Sequence, residues 1–366
     1  MLPRILLTFS LMLSIGLSAP LLAENERPAD RHHATILMYH HVSRSTPPST
    51  SVSPERFIEH LDLLERDGFK IWPLDQVMDH LLNGQPLPDR VAVLTFDDAY
   101  ASVFEKAMPI MQARELPFTI FVNAEPIERR HPLYMSWAQL REAQEIGGLI
   151  ANHTLTHPHM HRRLEGETDA EWETRIRHEI EENQRLIETH TGPAPKYLAY
   201  PYGEYDPALE ALVESMGYLA FGQQSGAASR YTRWTAIPRW AANGIYSNPD
   251  TLRTKLHALP FPIVSENPVS SVLDGTDRRP GLVLTLEPGD YSLRTLTCYG
   301  PGSRVLPIST RTLDNGQLEI TVDTNHNLNT GRPRYNCTAR HQSENRFFWF
   351  SRQWLMPRED GTWYEG

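Results

Sequence analysis

From about residue 34 to 260 the sequence alternates between short apolar runs and longer amphipathic stretches, and no other feature limits the fold as tightly. The runs at 34–39, 91–95, 118–122, 148–151 and 197–200 are rich in Val, Ile, Leu, Phe and Tyr and read as buried strands. Between them apolar residues recur at helical spacing: Phe57, Leu61 and Leu64; Val103, Ala107 and Ile110; Ile176, Ile180 and Ile187; Leu209, Leu212 and Val213. Helix starts are marked by Ser53 before Pro54, by the Ser136/Gln139 capping box and by Asp206 before Pro207, and a last helix begins near Asn248. Short strands are expected at 219–221 and 235–237. Such alternation indicates parallel βα units, in an open doubly wound sheet or a barrel. No glycine-rich phosphate loop follows the early strands, which favours a barrel and leaves nucleotide binding without support.

The pattern ends at Pro260-Phe261-Pro262. Beyond it, β-type runs at 282–285, 291–295, 318–322 and 346–350 are separated by the turn pairs Pro288-Gly289, Asn315-Gly316 and Asp360-Gly361. A β/α domain over 34–262 and a small all-β domain over 270–366 are expected. Cys298 and Cys337 are the only two cysteines. In an exported chain they read as a disulfide worth about 4 kcal/mol on a chain-entropy argument, and as buried thiols otherwise. Trp349, Trp354, Trp363 and Tyr364 could stack on sugar rings, although aromatics in a small β domain more often form its core.

Arg4 precedes an apolar run over 5–22 that ends in small residues at Ala23. This predicts a secretory signal over 1–23 and a polar linker over 24–33, and Pro20 favours cleavage over an uncleaved anchor. No second run of that length follows, so the mature chain should have no stable membrane insertion. A net charge of −10 and a pI near 5.9 argue against nucleic acid as the main partner.

Polar groups follow several strands: His40-His41, Asp97-Asp98, Asn152-His153 through His157, and Tyr202-Gly203. In a parallel barrel the strands' C-terminal ends share one face, where active sites form. Of the adjacent carboxylates, one can hold a metal while the other takes a proton from water, though a helix N-cap is the commoner use of Asp there. His153 and His157 would face the same way on a helical turn, as two metal ligands require, with Pro158 turning the chain away before His159 and His161. Two histidines and one Asp leave coordination positions open, and a bound metal would lower the pKa of water toward ~7. His40 is the candidate general acid and His41 its rival.

Three segments resemble successive motifs of the carbohydrate esterase family 4, or NodB-homology, polysaccharide deacetylases. They are Thr95-Phe96-Asp97-Asp98, the stretch from His153 to His157, and Tyr200-Pro201-Tyr202-Gly203. The resemblance covers roughly 34–260. It implies a distorted (β/α) barrel, a divalent metal (usually zinc) and removal of acetyl groups from N-acetylglucosamine units of a polysaccharide. It further implies Asp97 as catalytic base, Asp98, His153 and His157 as metal ligands, and the Tyr202 backbone N–H as oxyanion donor. Two departures stand out: Ala199 replaces the arginine of the third motif, and Leu256-His257 matches the late acid-histidine motif poorly. Both, with the 36–42 segment around His40, are similar to the poly-N-acetylglucosamine deacetylase branch, where an early histidine supplies the acid. There Arg239 would orient Asp97 in place of the missing arginine. The expected polymer is poly-β-1,6-N-acetylglucosamine, ahead of chitin-like oligomers and peptidoglycan. The alternatives are a sugar-binding or scaffolding protein with a degenerate site and a metallopeptidase, for which the H-E-x-x-H signature is lacking.

Overall fold

The computed structural model describes residues 32–365, so the expected signal and all but the end of the linker lie outside the described residues. Six parallel strands form a curled sheet in chain order: β1 (His33–Tyr39), β2 (Val91–Asp97), β3 (Phe118–Val122), β4 (Gly148–Asn152), β5 (Tyr197–Ala199) and β6 (Leu219–Phe221). The segment from Ile237 to Ala241 touches both ends of the curl: Ile237 bridges Phe221, and Trp240 pairs with Leu37. The expected distorted β/α barrel is therefore present. The strand expected at 235–237 is reduced to that single bridge, because Pro238 and the buried Arg239 interrupt the ladder.

The helices are α1 (Pro54–Arg66), α2 (Leu74–Leu82), α3 (Met108–Ala113), α4 (Ala124–Glu128), α5 (Trp137–Glu145), α6 (Asp169–Thr191), α7 (Pro207–Ser215) and α8 (Pro249–Leu256). Their starts follow local chemistry. Ser53 accepts from the Arg56 N–H, Asp206 from Leu209, and Ser136 with Gln139 closes a full capping box. Both faces of the sheet are buried. Leu37, Tyr39, Leu94, Phe96 and Ile120 pack under Phe57, Leu61, Leu64, Leu140 and Leu252 of the surrounding helices. Ile36, Val91, Val93, Phe121, Ala151 and Phe221 meet within the curl, where Leu74, Val77 and Met78 of α2 join them. Burial on two faces explains why these strands are continuously apolar rather than alternating.

Beyond residue 262 two antiparallel sheets face each other. One joins β7 (Ile263–Asn267), β8 (Leu282–Leu286), β11 (Ile308–Thr312) and β12 (Leu318–Val322). The other joins β9 (Thr297–Gly300), β10 (Arg304–Leu306), β13 (Arg334–Arg340) and β14 (Phe347–Gln353), with Leu259–Pro260 on its edge. Their core holds Leu284, Ile320, Tyr335, Phe348 and Trp354. Cys298 and Cys337 stand opposite one another in register on β9 and β13 and form a buried disulfide. The strand expected at 291–295 is absent. Tyr291 turns its ring into the core beside Phe261 and Phe348, and the chain then makes a 3-10 turn over Leu293–Thr295.

Candidate metal centre and catalytic cleft

The strand ends place the polar groups on one face of the barrel. Asp97 closes β2, His153 follows β4, Tyr200 to Tyr202 follow β5, and His40 follows β1. Arg239 enters from the segment that spans the ends of the curl.

Asp98, His153 and His157 converge, with ligand atoms all within 4.8 Å of one another. His153 Nε2 lies 3.4 Å and His157 Nε2 3.5 Å from the same Asp98 oxygen. The histidines do not share the helical turn that their spacing predicts. They sit on a loop that doubles back through left-handed residues, Thr154 at φ 66° and His157 at φ 61°. That loop is held by α6: Glu179 takes the Thr156 N–H at 2.9 Å and the Thr156 hydroxyl at 2.8 Å, while the Thr154 hydroxyl takes the His157 N–H. Asn183 of α6 bonds Asn152 and the Val122 carbonyl, and so ties the ends of β3 and β4 together. Of nine non-glycine residues with positive φ among the described residues, Asp98, Ala99, Thr154, His157 and Tyr202 belong to this cleft. Backbone conformations of that kind persist where the surroundings over-determine them, and they gather at functional sites.

A cation is accommodated by what the histidines do. His153 Nδ1 donates to the Ala199 carbonyl at 2.7 Å, which leaves Nε2 bare, buried and without a hydrogen-bond partner, facing Asp98. This second hydrogen bond fixes the ring and the tautomer that a metal needs. Burial and the neighbouring His153 hold His157 down at about 4, so its lone pair is free at neutral pH. On His153 burial opposes the charge, but the Asp98 carboxylate, with Asp97 beside it, prevails and raises it. Burial likewise opposes ionisation of Asp98, and His153 with its neighbours holds that carboxyl well below the usual range. The donor set suits a divalent cation and leaves positions for water and substrate.

Asp97 has no exposed surface, and Arg239, equally buried, grips both of its oxygens at 2.7 and 2.8 Å. Burial would push Asp97 up, yet the guanidinium keeps it below the ordinary carboxylate value and therefore ionised. Arg239 is itself fixed by the Gly222 carbonyl at 3.0 Å and by the Phe121 ring beneath it. Its place against Asp97 is the one that the sequence gives it.

Of the three candidate acids, only His40 faces the cleft, with Nε2 at 4.0 Å from Asp97. The Asn243 amide bonds His40 Nδ1 at 2.9 Å and so turns Nε2 toward Asp97. His41 turns the other way, stacked on Tyr100 at 3.6 Å, and burial holds it down to about 4. His257 lies against Asp67, at 2.9 Å, apart from the cleft. Tyr202 has φ 59° and sets its ring 4.6 Å from that of His157 and in a stack with His159 at 4.0 Å. Glu179, Asn183, Asn243 and Glu204 escaped the sequence reading. Glu179 and Asn183 did leave a signal, since they stand among Ile176, Ile180 and Ile187 on the apolar face of α6.

Residues 84–221 match the family model described as polysaccharide deacetylase. That match lies within the β/α domain. The chain is 25% identical over 217 residues to YxkH of Bacillus subtilis, named as a polysaccharide deacetylase, covering 59% of this chain and 72% of that one. It is 24% identical over 252 residues to the Escherichia coli poly-β-1,6-N-acetyl-D-glucosamine N-deacetylase, covering 58% of this chain but only 37% of that enzyme's length. Among solved structures it resembles the BpsB deacetylase domain of Bordetella bronchiseptica, with a TM-score of 0.52 and 25% identity over 58% of this chain and 97% of that one. The site and the family together make the protein a hydrolytic, metal-dependent deacetylase.

Proposed function

We propose that the protein is an exported zinc enzyme that removes acetyl groups from N-acetylglucosamine units of a polysaccharide, with poly-β-1,6-N-acetylglucosamine as its polymer. The observation that carries this reading is the convergence of Asp98, His153 and His157 beside an ionised Asp97 clamped by Arg239.

Asp98, His153 and His157 would hold the cation, and their N,N,O donor set suits zinc. When bound, it would polarise the acetamide carbonyl and acidify water. Asp97 takes the proton from the attacking water as the new C–O bond forms. Arg239 holds both carboxylate oxygens and so fixes the direction from which that proton is taken. The Tyr202 backbone N–H supports the negative oxygen of the tetrahedral species. As the C–N bond breaks, His40 as imidazolium delivers its Nε2 proton to the departing amine and is left neutral, giving acetate and a free amino sugar, and Asp97 returns its proton to solvent. Asn243, at 2.9 Å from Nδ1, holds the ring in that orientation.

Likeness to the E. coli enzyme supports the choice of polymer, as does the pairing of Arg239 with an early histidine. The signal-like segment and the disulfide support export to an oxidising compartment, periplasmic or extracellular. Among the described residues no helix is long and apolar enough to cross a membrane. The test is acetate release from β-1,6-linked N-acetylglucosamine oligomers, chitin oligomers and peptidoglycan, each with and without chelator. Preference for either of the last two overturns the polymer, and no chelator-sensitive release from any of them overturns the activity.

A further inference from the structure

Glu204 stands two residues beyond Tyr202 and has no exposed surface, yet it does not reach the metal ligands. Its carboxylate gathers donors from separate parts of the chain. His159 Nδ1 approaches at 2.6 Å, His161 Nε2 at 3.2 Å and the Arg162 guanidinium at 3.4 Å, all from the segment that follows the metal histidines. From the C-terminal domain Arg332 approaches at 3.4 Å, and the Tyr364 hydroxyl donates at 2.7 Å. On the other side of the same turn, Gln353 Nε2 of β14 donates to the Gly203 carbonyl at 3.0 Å, fully buried. Arg332 also lies over the Tyr202 ring at 5.4 Å, and Arg162 binds the Tyr364 carbonyl at 2.7 Å.

The turn needs such support. Tyr202 and Gly203 adopt left-handed conformations in succession, at φ 59° and 67°. Only the second is a glycine, and a side chain at that position would strike Gln223 at 2.5 Å. A non-glycine residue in this conformation reverts unless its neighbours hold it. Here three of the holding side chains, Arg332, Gln353 and Tyr364, come from outside the β/α domain.

We infer that the C-terminal domain is a working part of the deacetylase site: through Arg332, Gln353 and Tyr364 it fixes the turn that carries the Tyr202 N–H, with Glu204 as the hub. These are positioning residues, and the inference rests on the deacetylase reading above. A bridge that merely joined two domains would use surface residues, whereas this one closes on the loop nearest His157.

The experiment uses the full-length, metal-loaded protein and the variants Tyr364→Phe, Arg332→Met and Glu204→Gln. Amide hydrogen exchange over residues 198–206 reads the turn directly, and kcat, KM and metal affinity are measured on N-acetylglucosamine oligomers. Exchange should quicken about tenfold or more in each variant. kcat should fall about tenfold for Tyr364→Phe and by up to ~10²-fold for Glu204→Gln, the scale of a lost oxyanion donor, with KM and metal affinity within about twofold. Unchanged exchange in all three variants overturns the clamp. Faster exchange with unchanged kcat overturns its role in catalysis and leaves a structural bridge. Faster exchange in a protein whose wild type releases no acetate upholds the clamp and overturns the deacetylase reading instead.

Discussion

Replacing Arg239 by Met would strand the Asp97 carboxylate with no exposed surface and no partner for either oxygen. Breaking a buried pair in this way costs about 3–5 kcal/mol. A clear fall in melting temperature is expected together with loss of turnover, and a variant melting like wild type would contradict the pairing. Asp97→Asn keeps the shape and removes the proposed base, so kcat should drop ~10²–10⁴-fold while the metal content, measured by elemental analysis, stays at wild-type level. His153→Gln should behave oppositely, because it removes a ligand: metal content falls along with activity, and added zinc restores neither fully. At this scale the sequence was most legible. Asp97, Asp98, His153, His157, His40 and Arg239 all meet in one cleft, because each follows a strand end or its spanning segment and those ends share a face. Asn243 and Glu204 could not be found that way, since neither stands in a motif and their partners lie 203 and 160 residues away.

The elements of the β/α domain were readable because capping residues and apolar periodicity agree locally. Ser53, Ser136 and Asp206 start helices where their side chains find N–H groups. The histidine loop was misjudged as helical, because four-residue spacing is the same in a helix and in a loop that returns on itself, and only Glu179 of α6 decides between them. In the C-terminal domain β13 was missed, as Tyr335, Cys337 and Ala339 alternate with polar residues that hide the run. This strand carries a prediction of its own. The disulfide joins neighbours in one sheet across 39 residues of sequence, so its loop entropy is worth about 4 kcal/mol. The Cys298→Ala, Cys337→Ala pair should lower the melting temperature of this domain by roughly 10 °C or more, read by calorimetry. A shift of only a degree or two would mean that the two sheets hold without it.

Across the whole molecule, acid should loosen the fold before it titrates the carboxylates. Burial holds His41 down to about 4 and also lowers His60, which is wedged between the Tyr39 hydroxyl and the Ser247 carbonyl. Both have ordinary values of 6.5 when unfolded, so below that pH the unfolded chain binds more protons. The His41 contribution is whole above pH 6.5 and is lost as pH falls toward 4, and His60 adds a loss in the same direction. The melting temperature should decline across that window, and His60→Gln should flatten the slope; an unaltered slope would assign the acid sensitivity elsewhere. How the two domains meet was not legible, because no local pattern encodes which side chain will reach Gly203 or Glu204 from 150 residues away or more. That distance also sets an order of events. Residues of the six barrel strands are made well before Tyr364, so a barrel that folded before the chain was complete would meet its metal while the turn carrying Tyr202 lacked Arg332, Gln353 and Tyr364. Competence would then arrive as a final step, when the last β strands dock, and a chain stalled or clipped before that point would carry a filled metal site that turns over slowly.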